Sequence, residues 1–179
     1  TRFTDKPDYD KIEFVNEVSG RDPRLAQTIR TTKGLNFSNC ITGYQPHKYI
    51  VEANLGSSAA SYNDLPLFRM AEVYLNYAEA KAELGEITQG DLDISVNKIR
   101  ARAKMPNLNL IAANGSPDPY LSSAETGYTN VTGANKGVIL EIRRERNIEL
   151  VLESQNRWWD LMRWKEGACI GQKMEGLYI

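Results

Sequence analysis

Between Phe68 and Pro106 the chain carries a helical period on both sides of one short turn, and no other feature narrows its fold as much. Met70, Tyr74, Tyr77 or Ala78, and Ala82 recur at steps of three or four among dense alanines, and Gly85 stands where a glycine commonly ends a helix, so a helix is predicted over 68–84. Thr88 precedes Asp91 by three residues, which is the spacing of a capping box. Leu92, Val96, Ile99 and Ala103 then supply the apolar stripe of a second helix that Pro106 stops. A turn this short folds the two helices into an antiparallel hairpin. Such a hairpin needs neighbours to cover its apolar face.

The neighbours are predicted downstream, as a third helix over 136–153 and a fourth over 157–165 ended by Gly167. Residues 107–135 are rich in Asn, Gly, Ser, Pro and Thr, show no period, and read as a long surface connection. Residues 1–63 read as a loop-rich segment. A short helix is expected over 22–29, with Asp22 as N-cap and Pro23 at the first helical position, and a short strand over 48–51. The expected architecture is mostly α, with long loops and a tail over 168–179.

At 179 residues the chain is long enough to bury one core. No stretch approaches the roughly 20 apolar residues of a membrane-spanning helix. A formal charge of −1 lacks the basic excess that phosphate neutralisation favours, so nucleic acid is not an expected partner. Cys40 and Cys169 lie too far apart in sequence for a C-x-x-C site, and one optional disulfide is the most they could form. His47, the single histidine, excludes multi-histidine metal centres and leaves one candidate base for a hydrolytic triad. No cofactor is expected. The chain opens at Thr1 without a basic or apolar leader, and it reads as a piece of a longer protein whose targeting segment lies upstream or has been removed.

Residues 141–163 interleave Glu141, Arg143, Arg144, Glu145, Arg146, Glu149, Glu153, Arg157, Asp160 and Arg163 with Ile, Leu, Val and Trp. Glu145, Glu149 and Glu153 repeat every four residues, so a continuous helix would align them on one face. Two such carboxylates could serve as a general acid and base. Acids mixed this closely with arginines hold one another ionised, however, whereas a catalytic acid needs its pKa raised. The expectation is therefore structural: Arg146, Glu149, Arg157 and Asp160 form a partly buried ion-pair network tying the third helix to the fourth. Trp159 and Trp164 are assigned to the core.

Two levels of resemblance follow from these residues. Tyr77-Ala78-Glu79-Ala80, the turn at Gly85 and the closing Pro106 loosely resemble one tetratricopeptide unit. More specifically, four blocks occur in the order of the SusD/RagB family: Arg69-Met70-Ala71-Glu72-Val73-Tyr74-Leu75-Asn76-Tyr77-Ala78-Glu79-Ala80, Asn97-Lys98-Ile99-Arg100-Ala101-Arg102-Ala103, Glu145-Arg146-Asn147-Ile148-Glu149-Leu150 and Trp158-Trp159-Asp160-Leu161-Met162-Arg163-Trp164. The chain resembles the C-terminal part of that family over about residues 64–167. It departs from the family pattern at Asn147, at Ser154 and in the spacing from Glu153 to Arg157, all near the bend between the third and fourth helices.

The resemblance implies a SusD-like, mostly helical outer-membrane lipoprotein of Bacteroidetes. Such a protein binds glycans or other nutrients at the cell surface, is lipid-anchored through an N-terminal segment, caps a SusC-like TonB-dependent transporter, and performs no chemistry of its own. It assigns no ligand residues, because those of the family vary and lie largely in loops.

Sugars stack their CH faces on aromatics and pair their hydroxyls with Asn, Asp and Arg, and among the scattered aromatics of the first segment Tyr44 and Tyr49 are the candidate contacts. The same rings could instead fill small packing clusters. The alternative function is a protein-interaction module of the same surface complex with no ligand site in this portion. A glycosidase would require cleft carboxylates not neutralised by arginine. Asn36-Phe37-Ser38 and Asn130-Val131-Thr132 match glycosylation acceptors and are read as chance.

Overall fold

The structure is a computed structural model and describes residues 6–30, 44–46, 48, 49, 64, 66–153 and 156–171. The chain divides into two compact units, Thr1–Leu65 with Met174–Ile179, and Pro66–Lys173. The fold is mostly helical, as expected, and an isolated antiparallel bridge pairs Ile29 with Pro46.

In the first unit a 3-10 turn (Tyr9–Lys11) leads to α1 (Phe14–Val18) and α2 (Leu25–Thr28). Asp22 does not occupy the N-cap. Its carboxylate accepts the backbone N–H of Arg24 at 2.9 Å and the guanidinium of Arg24 at 2.7 Å, which makes a local Asx turn, and the helix starts two residues later than predicted. The predicted strand is not formed at its first two positions, because Lys48 and Tyr49 lie in a bend with Tyr49 at φ 63°. Ile50 and Val51 are outside the described residues, as are Phe37, Cys40, His47 and Tyr62.

In the second unit α3 (Met70–Glu83) ends at Gly85, whose φ of 78° is left-handed. The N–H of Gly85 bonds to Ala82 O at 3.1 Å and that of Glu86 to Lys81 O at 3.0 Å, a Schellman closure. The buried face of α3 is Leu75, Ala78, Glu79 and Ala82, while Met70 and Tyr77 are exposed. Hydropathy alone centres the stripe elsewhere, because it does not turn a glutamate inward.

The second predicted helix is two: α4 (Gln89–Ile94) and α5 (Val96–Arg102). Ser95 breaks it at φ −127°, ψ −96°, where its hydroxyl donates to Asp91 O at 2.5 Å and withdraws that carbonyl from the helix ladder. Leu92, Val96, Ile99 and Ala103 nevertheless all reach the core.

The start of α4 is the predicted capping box. Asp91 N–H donates to Thr88 Oγ1 at 3.1 Å, and the Asp91 carboxylate accepts from Thr88 N at 2.9 Å, from Thr88 Oγ1 at 2.6 Å and from the Tyr77 hydroxyl. The hydrogen bonds from the Thr88 and Tyr77 hydroxyls and from the Thr88 backbone lower the Asp91 pKa from 3.8 to about 2. A folded pKa below the unfolded one gives stability that is present above the unfolded value and lost as pH falls through the folded value. Asp91→Asn should therefore lower the melting temperature at neutral pH, and the gap to the native protein should close between about pH 4 and pH 2. Thermal scans across that range check this, and a gap independent of pH would contradict it.

The predicted long connection contains two short helices, α6 (Leu110–Gly115) and α7 (Pro119–Ser122). Each is started by a side-chain cap: Asn109 Oδ1 accepts from Ala112 N at 2.9 Å and Asp118 Oδ1 from Tyr120 N at 2.8 Å, with Pro119 opening α7.

The third helix, α8 (Lys136–Glu149), stops four residues short of prediction. Leu152 takes φ 60°, the N–H of Glu153 bonds to Leu150 O at 3.1 Å, and the Arg69 guanidinium takes the carbonyl of Glu149 at 2.7 Å. The fourth helix, α9 (Asn156–Trp164), ends at Lys165 (φ 57°) rather than at Gly167, and a 3-10 turn (Gly167–Gly171) follows. The core joins Leu75, Ala78 and Ala82 of α3 and Val96 and Ile99 of α5 to Val138, Leu140 and Ile142 of α8 and Leu161 and Trp164 of α9. Trp164 meets Tyr128 edge-on at 5.5 Å.

Candidate functional site

Four charged residues of α8 (Arg143, Glu145, Arg146 and Glu149) are buried, and each meets its counter-charge on another segment. Glu145 accepts from Arg100 of α5 at 3.0 Å. Glu149 accepts from Arg69 at 2.7 Å and also from Arg102, and the same Arg69 reaches Glu153 at 2.6 Å. The row of carboxylates is thus split by the end of α8 and rejoined by Arg69, which the sequence reading did not single out. Arg146 donates from Nε to Asp160 Oδ2 at 2.6 Å and from Nη1 to Asn76 Oδ1 at 2.6 Å.

The four residues expected to form one network therefore go different ways. Arg146 and Asp160 are brought together and tie α8 to α9, Glu149 faces Arg69 and Arg102, and Arg157 donates to the Tyr128 hydroxyl at 2.8 Å. Asp160 is extended by residues not foreseen: its Oδ1 accepts from Arg163 at 3.0 Å, Arg163 also grips Glu79 of α3, and Trp164 Nε1 donates to Glu79 at 2.5 Å. Arg143 lies 4.5 Å over the Trp164 ring with its Nε and Nη1 buried and without hydrogen-bond partners, so the aromatic face supplies part of what the missing acceptors would. Among these added residues, Arg69, Glu79, Arg163 and Trp164 all belong to the family-like blocks, which was the available signal.

Burial raises the pKa of Glu79, but the hydrogen bonds from Arg163 and Trp164 and the charges of Arg163 and Arg146 outweigh it and hold this carboxyl below the ordinary range. Glu141 is pushed the other way, mainly by burial and further by Asp118 and Glu145, against the pull of Arg144 and Arg100.

An open groove of about 650 Å³ runs over this seam. One wall is a face of α3 (Glu72, Asn76, Glu79, Ala80, Glu83), the other a face of α9 (Asn156, Trp159, Asp160, Arg163), and Arg146 closes the floor. Trp159, assigned from sequence to the core, is 61% exposed and lines this groove. The phase of α9 explains the correction: Asp160, Leu161 and Trp164 face inward, which turns Trp158 and Trp159 out, and Trp164 is the tryptophan that enters the core. The groove pairs a free indole face with amides and carboxylates, a combination that suits a hydrophilic ligand with apolar CH faces.

In the first unit, Tyr44 donates its hydroxyl to both oxygens of Glu17, at 2.9 and 2.8 Å, and stands edge-on to Phe14 at 5.5 Å. Burial, with the bond and charge of Glu17 added, raises its pKa far above the ordinary tyrosine value. Tyr49 is 38% exposed, with the Lys48 ammonium 5.9 Å from its ring centre.

No helix is long and apolar enough to cross a membrane, and no group of three or more His, Cys, Asp and Glu could hold a metal ion, both among the described residues. Neither a curated protein nor a solved structure matches the chain. A family model described as the SusD family matches residues 31–176. That span contains all four of the sequence blocks that build the α3, α5, α8 and α9 seam, and the chain belongs to the SusD family.

Proposed function

We propose that the chain is part of a non-catalytic nutrient-binding component of an outer-membrane uptake system. In this reading it holds a glycan for a SusC-like TonB-dependent transporter and is lipid-anchored at the cell surface through an N-terminal segment. The observation that carries the reading is the groove between α3 and α9, where an exposed indole stands beside Asn76 and Asn156. Its two deeper carboxylates, Glu79 and Asp160, are both engaged by arginines. A sugar ring can stack on Trp159 and exchange hydroxyl hydrogen bonds with the amides and carboxylates. Glu79 is held ionised by Arg163 and Trp164, which suits it to accept hydrogen bonds from a ligand and not to donate a proton.

Isothermal titration of the full-length protein with a panel of oligosaccharides tests this reading, together with co-purification of the transporter. Trp159→Ala should weaken saccharide binding by about 1 to 2 kcal/mol through lost stacking, with little effect on the fold because the ring is exposed. In the first unit, taken by itself, Tyr49 is proposed as a saccharide contact, and Tyr49→Ala should weaken binding there by about 1 to 2 kcal/mol. Tyr44→Ala should cost as much if that ring also meets the saccharide, and in either case it also breaks the Glu17 bond.

The alternative, an interaction module with no ligand site in this portion, is favoured by the exposed row of Leu67, Phe68, Met70 and Val73 at the start of α3. It predicts no heat from any oligosaccharide.

A further inference from the structure

The charges lining the groove divide unevenly. Glu79 with Arg163 and Asp160 with Arg146 form two pairs whose charges cancel. The remaining lining charges, Glu72 and Glu83, are both acidic, and both stand on α3. Arg146 lies 3.9 Å from Glu72 and is already engaged by Asp160 and Asn76. Glu83 takes one bond at 3.2 Å from Arg143, which does not line the groove. Opposite this acidic wall stands the exposed Trp159 ring. A carboxylate wall facing an indole is the arrangement that recognises an organic cation, since the ring face and the carboxylates both favour positive charge.

We infer that this groove selects among saccharides by charge, taking an amine-bearing oligosaccharide in preference to its neutral counterpart and disfavouring uronic or sulfated ones. The inference rests on the saccharide-binding reading above and names the ligand class of that site. A protonated amino group placed between Glu72 and Trp159 gains an ion pair and a cation–π contact that a neutral N-acetyl group lacks. An acidic sugar in the same place meets the Glu72 carboxylate with no uncommitted cation among the lining residues. The ring faces and hydroxyls, common to all these ligands, are served by Trp159, Asn76 and Asn156.

The test is titration of the full-length protein at low ionic strength, at a pH where glucosamine is protonated, with a glucosamine tetramer, its N-acetylated form and a galacturonic acid oligomer. The glucosamine tetramer should bind about three- to tenfold tighter than the N-acetylated form, and the galacturonate weakest. Glu72→Gln should bring the two tetramers to equal affinity, and a cooperative thermal unfolding transition shows that the variant is folded. Trp159→Ala should weaken both. Equal affinity for the two tetramers, or a preference that survives Glu72→Gln, would overturn the inference, and so would a tetralysine peptide that binds as tightly with the same Glu72 dependence. Saccharide binding untouched by Trp159→Ala would overturn this inference alone and leave the function standing, whereas no binding of any saccharide would overturn both.

Discussion

Asp160→Ala should lower the unfolding free energy by about 2 to 4 kcal/mol, because the Arg146–Asp160 pair is buried on both sides. The carboxylate is 5% exposed and uses both oxygens, one for Arg146 Nε at 2.6 Å and one for Arg163 Nη2 at 3.0 Å. Removing it leaves Arg146 in the core with the Asn76 amide and, at 3.9 Å, Glu72 on α3, too long a contact to replace the lost hydrogen-bonded counter-charge. The penalty is that of an uncompensated buried cation, which exceeds the net worth of the pair itself.

Two controls separate that cause from loss of packing. Asp160→Asn keeps the shape and one acceptor and should fall between the native protein and Asp160→Ala. Arg146→Met combined with Asp160→Leu removes both charges and should recover much of the loss. Urea unfolding with an unchanged m-value is the measurement, and a midpoint unmoved by Asp160→Ala would show that the tie between α8 and α9 is not structural.

How far the sequence foretold this arrangement depends on whether each signal was local. The helix at 68–84 and the capping box at Thr88 were legible because period, cap and stop lie within one turn of the residues they govern. The break at Ser95 was not, since it turns on a hydroxyl that bonds back to Asp91 O instead of facing solvent. The short helices α6 and α7 hid in a composition typical of loops, although Asn109 and Asp118 each stood at the position of a cap.

The charged seam was legible as ion pairing but not in its partners. Arg69 lies 80 residues from Glu149 and 84 from Glu153, and Arg163 lies 84 from Glu79, so no local spacing announces these pairs. The groove was lost through one helical phase. With Trp158, Trp159 and Trp164 all in α9, periodicity from the apolar residues alone does not say which indole turns in, and the position of buried Asp160 settles it.

Gly137→Ala should destabilise by about 3 kcal/mol or more, although the same change in an ordinary helix position gains up to about 1 kcal/mol. Gly137 sits in the first turn of α8 where α6 crosses it, and a Cβ added there would fall inside the carbonyl group of Ala113 and 2.9 Å from Asn114 Cα. These are backbone atoms of α6, so no side-chain rotation relieves the overlap and the short helix as a whole must move. Moving it strains the Asn114 Oδ1 bond from Val138 N, now 2.9 Å, and the Asn114 Nδ2 bond to Asn135, now 3.2 Å. Asn135 in turn donates to Ala82 O at 3.3 Å, so the displacement reaches the end of α3. Gly90→Ala in α4 is the internal control: its nearest neighbour would be Thr88 Oγ1 at an ordinary 3.6 Å, so that variant should be neutral or slightly stabilising. Opposite signs for the two glycines in denaturant unfolding would establish that α6 is packed directly on α8. Equal, small effects would mean that the segment after Pro106 is free to step aside.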